Sequence, residues 1–136
     1  MLFEHKIAIG LSETIEKKVM AGDTAAGIGS GTLDFLLSTP AIIEEIINIS
    51  AKMLNVLLPE GYITVGRYIE LTHLKPTFVG EEITITVTVE NITGNSIRLS
   101  FVINDTYGLI GRGTHERIIA SNEKLLKTAF NRMGSD

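Results

Sequence analysis

The sequence predicts an α+β domain in which one curved antiparallel sheet wraps a central helix. Three observations lead there. A single long run, from Ala41 to about Leu57, has helical periodicity and is apolar around nearly its whole circumference. After Pro59 and Gly61 the rhythm changes to period two and stays there for four successive segments. Short turn sequences join the last three of those segments, which makes them an antiparallel meander.

The elements follow in order. Leu11 to Val19 reads as a first strand. Glycines at 27, 29 and 31 come next, but no hydrophobic strand precedes them, and the spacings of dinucleotide and P-loop phosphate cradles both fail. They read as a loop or as close backbone packing. Ser38 or Thr39 can cap the helix, and Pro40 suits its first turn, where a missing N–H costs nothing. Ile42, Ile43, Ile46, Ile47, Ile49, Met53, Leu54 and Val56 give the helix its apolar surface; Glu44, Glu45, Asn48 and Lys52 are the polar exceptions. Such a helix must be covered on most sides. One sheet cannot do that, so a second copy in a twofold dimer is expected, with pairing into a tetramer left open. Strands then run from Tyr62 to Leu74, Glu82 to Glu90, Ser96 to Asn104 and Leu109 to Ala120. From Asn122 to about Met133 a short amphipathic helix places Leu125, Leu126, Ala129, Phe130 and Met133 on one side.

Composition narrows the function. The 136 residues make one domain, 1–136, long enough to bury roughly two thirds of the unfolded surface. There is no cysteine, which excludes disulfides, thiolate zinc sites and a cysteine nucleophile, and fits a cytoplasmic setting. The first ten residues lack the pattern of a signal peptide, and no apolar run reaches the length of a membrane span. The sequons at Asn48 and Asn91 are therefore read as chance. A formal charge of −4 argues against nucleic acid, so an anionic ligand would need a local cationic cluster. His5, His73 and His115 have no metal-ligand spacing, and no metal is expected.

The segment IELTHLKPTFVGEE places His73 in line with Ile69 and Leu71, where an apolar side chain is expected. With GIGSGTLDFLLSTPAII and GLIGRGTHERIIA, it resembles the hot-dog-fold thioesterases related to fluoroacetyl-CoA thioesterase. The similarity runs from about Ser12 to Ala120, and T-H-x-x-P-T-x-V-G followed by G-x-G-T-H-E-R is its specific signature. The resemblance implies an acyl-CoA thioesterase with its site at a dimer interface and no cofactor beyond the coenzyme A of the substrate.

It also implies a threonine at the helix start, here Thr39, and a histidine before the proline bend, here His73, as catalytic residues. A glycine near the acyl thioester falls on Gly66, and an arginine that shapes the site falls on Arg117. The family's glutamate falls on Ile47, with Asn48 beside it, and there the chain departs from the pattern. Isoleucine can neither attack a carbonyl nor accept a proton. Glu44, about 60° away around the helix, is a possible stand-in. Asn48 can orient water but not deprotonate it.

Histidine, with its pKa near neutrality, can serve as the base, and the N–H groups of the helix start can face a thioester oxygen. For coenzyme A phosphates Lys75 is the leading candidate, ahead of Arg67 and Arg112. His115 and Arg117 share a strand face, and their bland alternative is a salt-linked surface strand with Glu116. The rival to an enzyme is an acyl-CoA binder that kept the pocket and lost the carboxylate.

Overall fold

The computed structural model describes residues 5–134. Five strands form one antiparallel sheet: β1 (Ser12–Lys18), β2 (Tyr62–His73), β3 (Glu82–Thr93), β4 (Ser96–Asp105) and β5 (Gly108–Ser121). Their spatial order is β1-β3-β4-β5-β2, so β1 and β2 are the edges. The glycine-rich stretch carries one helical turn, α1 (Ala25–Ile28), the central helix is α2 (Thr39–Asn55), and α3 (Asn122–Gly134) closes the chain.

Alternation in the strands builds the core. Ile83, Ile85, Val87 and Val89 of β3 and Ile97, Leu99, Phe101 and Ile103 of β4 are all buried on the inner face. Ile42, Ile46, Ile49, Met53 and Leu54 of α2 join them in one cluster. Each such side chain contributes about 1.5–3 kcal/mol by leaving water. On the outer face, hydroxyl side chains pair across strands, Thr14 with Thr86 and Ser12 with Thr88, each at 3.0 Å. The β3–β4 hairpin turns through Gly94 at φ 62°, a conformation glycine adopts without strain.

The sheet covers α2 on one side only. Ile47 remains 38% exposed and Val56 78% exposed. Helix α3 forms where its periodicity placed it but buries none of its residues; Phe130 is 68% exposed. The glycine run supports packing: a side chain at Gly27 would collide with the backbone of Ala21 and Gly22.

One irregularity in β2 matters for the site. Gly66 pairs with Arg117, Tyr68 with Glu116 and Ile69 with His115, so a bulge falls at Arg67. An extra residue on one strand shifts the side-chain alternation by one. Gly66 and His73, seven residues apart, therefore lie on the same inner face. Simple alternation would have put them on opposite faces.

Candidate active site

Helix α2 starts beside the end of β2. Ser38 is the N-cap, and its side chain accepts from the Ala41 N–H at 3.2 Å. Thr39, the next residue, meets His73 of β2 directly: Thr39 Oγ1 lies 2.8 Å from His73 Nδ1. The contact forms within one chain and needs no second copy. His73 Nε2 is buried without a hydrogen-bond partner. Burial lowers the His73 pKa below its ordinary value, and the Lys75 backbone opposes that shift. The imidazole is therefore neutral near pH 7. The pair opens on a crevice of about 520 Å³ lined by Leu33, Leu36, Leu37 and Pro76, with Lys75 also on its wall.

The helix start offers less than expected to a ligand oxygen. Pro40 has no N–H, Ala41 donates to Ser38 Oγ, and Ile42 donates to the Ser38 carbonyl. That leaves at most the N–H of Thr39 itself.

A second polar group lies farther along the same face of β2. Arg117 and His115 are 4% and 2% exposed, so neither stands on a surface strand. Glu116 points the other way and pairs with Arg67 at 2.6 Å on the outer face. Arg117 donates from Nε to Thr64 Oγ1 and from Nη2 to the Thr64 carbonyl, both at 2.8 Å. Its Nη1 lies 3.2 Å from His115 Nε2. Thr64 in turn donates from its hydroxyl and its backbone N–H to Asn55 Oδ1, at 2.7 and 2.9 Å. Gly66 forms the open side of this group: a Cβ there would lie 3.4 Å from His115 Cε1 and 3.5 Å from Arg117 Nη1.

Thr64 and Asn55 were missed in the sequence. The available signal was a threonine on the inward phase of an apolar strand, two residues before Gly66.

The structure thus brings Thr39, His73 and Lys75 together, and Gly66 and Arg117 together, but the two sets are roughly 20 Å apart along β2 within the chain. Ile47 lies about 80° around the helix from Thr39 and about 12 Å farther along it. Glu44 is exposed. Asn48 faces the other way, lining a groove with Glu13 and Lys52 between β1 and α2, away from His73. Arg67 is half exposed on the outer face, and Arg112 is also exposed, on the opposite face from His73. Among the described residues no cluster of three metal-ligating side chains occurs, and no helix is long and apolar enough to cross a membrane.

A five-stranded antiparallel sheet packed on one long helix defines a protein of the hot-dog fold class. The family model described as fluoroacetyl-CoA-specific thioesterase matches residues 18–123, and the chain belongs to that family. Among solved structures it is similar to a hot-dog-like protein from Thermanaerovibrio acidaminovorans, with 33% identity, 94% of each chain covered and a TM-score of 0.86. A Thermus thermophilus protein described as a thioesterase superfamily member is 23% identical, with 94% of this chain and 93% of that one covered and a TM-score of 0.82. A variant of the fluoroacetyl-CoA-specific thioesterase FlK, solved with fluoroacetate and CoA, is 21% identical, with 88% and 99% covered and a TM-score of 0.80. No curated protein matches the sequence.

Proposed function

We propose that the chain is an acyl-CoA thioesterase that hydrolyses a small acyl-CoA at sites shared between two copies. The observation that carries this reading is the 2.8 Å contact between Thr39 Oγ1 and His73 Nδ1 at the mouth of a largely apolar crevice. A neutral imidazole beside a hydroxyl is the minimum needed to manage a proton during acyl transfer. Water adds to the thioester carbonyl carbon as His73 takes its proton. The carbon–sulfur bond then breaks, and the proton passes to the departing coenzyme A sulfur. Thr39 orients His73 and hydrogen-bonds the reacting group. Lys75 stands where a coenzyme A phosphate can reach it, and the cell compartment of such a reaction is the cytoplasm. No cofactor enters beyond the coenzyme A that the substrate carries.

Family membership supports the substrate class, and a relative in the same fold was solved with CoA. The dimer is supported by the free edge of β2 and the uncovered side of α2. Antiparallel pairing of two β2 strands about an axis through Glu70 sets Ile69 opposite Leu71 and, past the extra residue at Arg67, Gly66 of one copy opposite His73 of the other. Because the bulge keeps both on the inner face, such a pairing joins the two half-sites.

One observation favours a second reading. The resemblance sets Ile47 where the family carries a glutamate, and no carboxylate bonds to Thr39 or His73 among the described residues. A protein that binds acyl-CoA without hydrolysing it fits that feature. Thiol release from a panel of short and medium acyl-CoAs, with calorimetry in parallel, separates the two. Turnover that disappears in His73→Ala supports the enzyme; tight binding with no thiol released supports the binder.

A further inference from the structure

We infer that His115 is a positioning residue: a neutral acceptor that fixes the Arg117 guanidinium so that the spare N–H of its Nη1 stands beside the exposed Gly66. The inference rests on the reading of Gly66 and Arg117 as ligand-facing, and adds a residue to that site.

Donor and acceptor logic determines the tautomer. His115 Nδ1 lies 2.8 Å from the Tyr68 carbonyl, which can only accept, so Nδ1 carries the proton. Nε2 lies 3.2 Å from the Arg117 guanidinium, which can only donate, so Nε2 carries a lone pair. A second proton on Nε2 would turn N–H against N–H. Both neighbours thus impose one neutral form, and His115 cannot act as an acid or base while it holds Arg117.

The remaining bonds run in one direction. Thr64 gives its hydroxyl proton to Asn55 Oδ1, leaving its oxygen free to accept from Arg117 Nε. Arg117 therefore uses three of its five N–H groups, on Thr64 twice and on His115 once. One is left on each terminal nitrogen. Among the described residues no carboxylate pairs with the guanidinium, because Glu116 bonds to Arg67 and Ser96 on the far side of the sheet. A buried cation without an ionic partner is costly unless its geometry is held and an anionic or carbonyl oxygen completes its shell. Gly66 is exposed and carries no side chain, and the position a Cβ would take there lies 3.5 Å from Nη1, so this is the side from which a ligand reaches the guanidinium. The chemical class that fits is a short carboxylate or a thioester carbonyl.

The tautomer is checked on the wild-type chain by nitrogen NMR of the imidazole, and the consequence by calorimetry with acetate as the probe. The expected result is an unprotonated Nε2, acetate binding weakened about tenfold in His115→Leu, and affinity within about threefold of wild type in His115→Gln, whose amide can both donate to Tyr68 and accept from Arg117. A proton on Nε2, absence of acetate binding by the wild type, or unchanged affinity in a folded His115→Leu each overturns the inference. Acyl-CoA turnover is scored separately. If the wild type releases no thiol yet acetate binding follows the expected pattern, the thioesterase reading falls and the role of His115 stands.

Discussion

At the scale of single residues, two histidines on the inner face of the sheet have different roles because their neighbours differ. His73 touches one hydroxyl and keeps a free nitrogen; His115 is bonded at both nitrogens. Removing His73 or Thr39 is expected to lower turnover by roughly 10²-fold or more, the usual size of a lost proton-transfer group. His73→Ala should leave the unfolding midpoint nearly unchanged, because the side chain stands at a crevice. The pH dependence follows from the shifts. Burial lowers both pKa values below the ordinary 6.5; the Tyr68 carbonyl partly offsets this for His115, and the Arg117 charge adds to it. The base form of His73 therefore persists into mildly acidic solution, and the acid limb of kcat/KM should fall below pH 6.5. Stability moves the opposite way. The unfolded chain takes up protons first, so stability is complete above 6.5 and is lost as pH falls toward the folded-state values. Urea midpoints at about pH 7.5 and about pH 5.5 should show the loss, and His115→Gln should shrink it.

At the scale of elements, β2 determines the placement of both polar groups. Its bulge at Arg67 rotates Gly66 onto the face of His73, and its pairing with β5 depends on another glycine. A Cβ at Gly113 would run into the Glu70 carbonyl and come within 2.6 Å of Phe101 Cζ. Gly113→Ala should therefore cost about 1–3 kcal/mol or prevent folding, measured by denaturant titration. Gly66→Ala is the contrasting case. Its Cβ meets only ordinary contacts, so the fold should survive while acetate and acyl-CoA affinities fall. On α2, Ile47 is partly exposed and on the Thr39 side of the helix, so Ile47→Glu should fold. The carboxylate it restores should raise thiol release if the helix is aligned as the family pattern requires. An inert, folded Ile47→Glu would remove that alignment.

At the scale of the whole molecule, the Thr39–His73 pair and the Gly66–Arg117 group lie roughly 20 Å apart in one chain, too far to act on one thioester. A dimer made across β2 predicts subunit complementation. Mixed after co-refolding, inactive His73→Ala and inactive Arg117→Leu chains form heterodimers in which one of two sites is intact. About one quarter of wild-type activity should return at equal mixing. No recovery, with mixed dimers present by mass, would overturn a site shared between copies.

Much of this was legible in the chain because it rests on local rules. Period-two alternation from Tyr62 onward and the apolar helix after Pro40 are backbone and burial preferences, which neighbouring residues express without help. The meander order followed from short turns. The GIGSGTLDFLLSTPAII and THLKP segments pointed to Thr39 and His73, which the fold then set in contact. The rest depended on what meets across long sequence separations. Alternation alone could not locate the bulge that aligns Gly66 with His73. Nor could it show that Arg117 turns inward to Thr64 and His115 while Glu116 turns outward to Arg67. It also left Asn48 beside the site, where a 100° step around the helix carries it to the opposite groove. Hydrophobic pattern specifies which residues are buried; which buried polar groups become partners is decided only once the strands are in register.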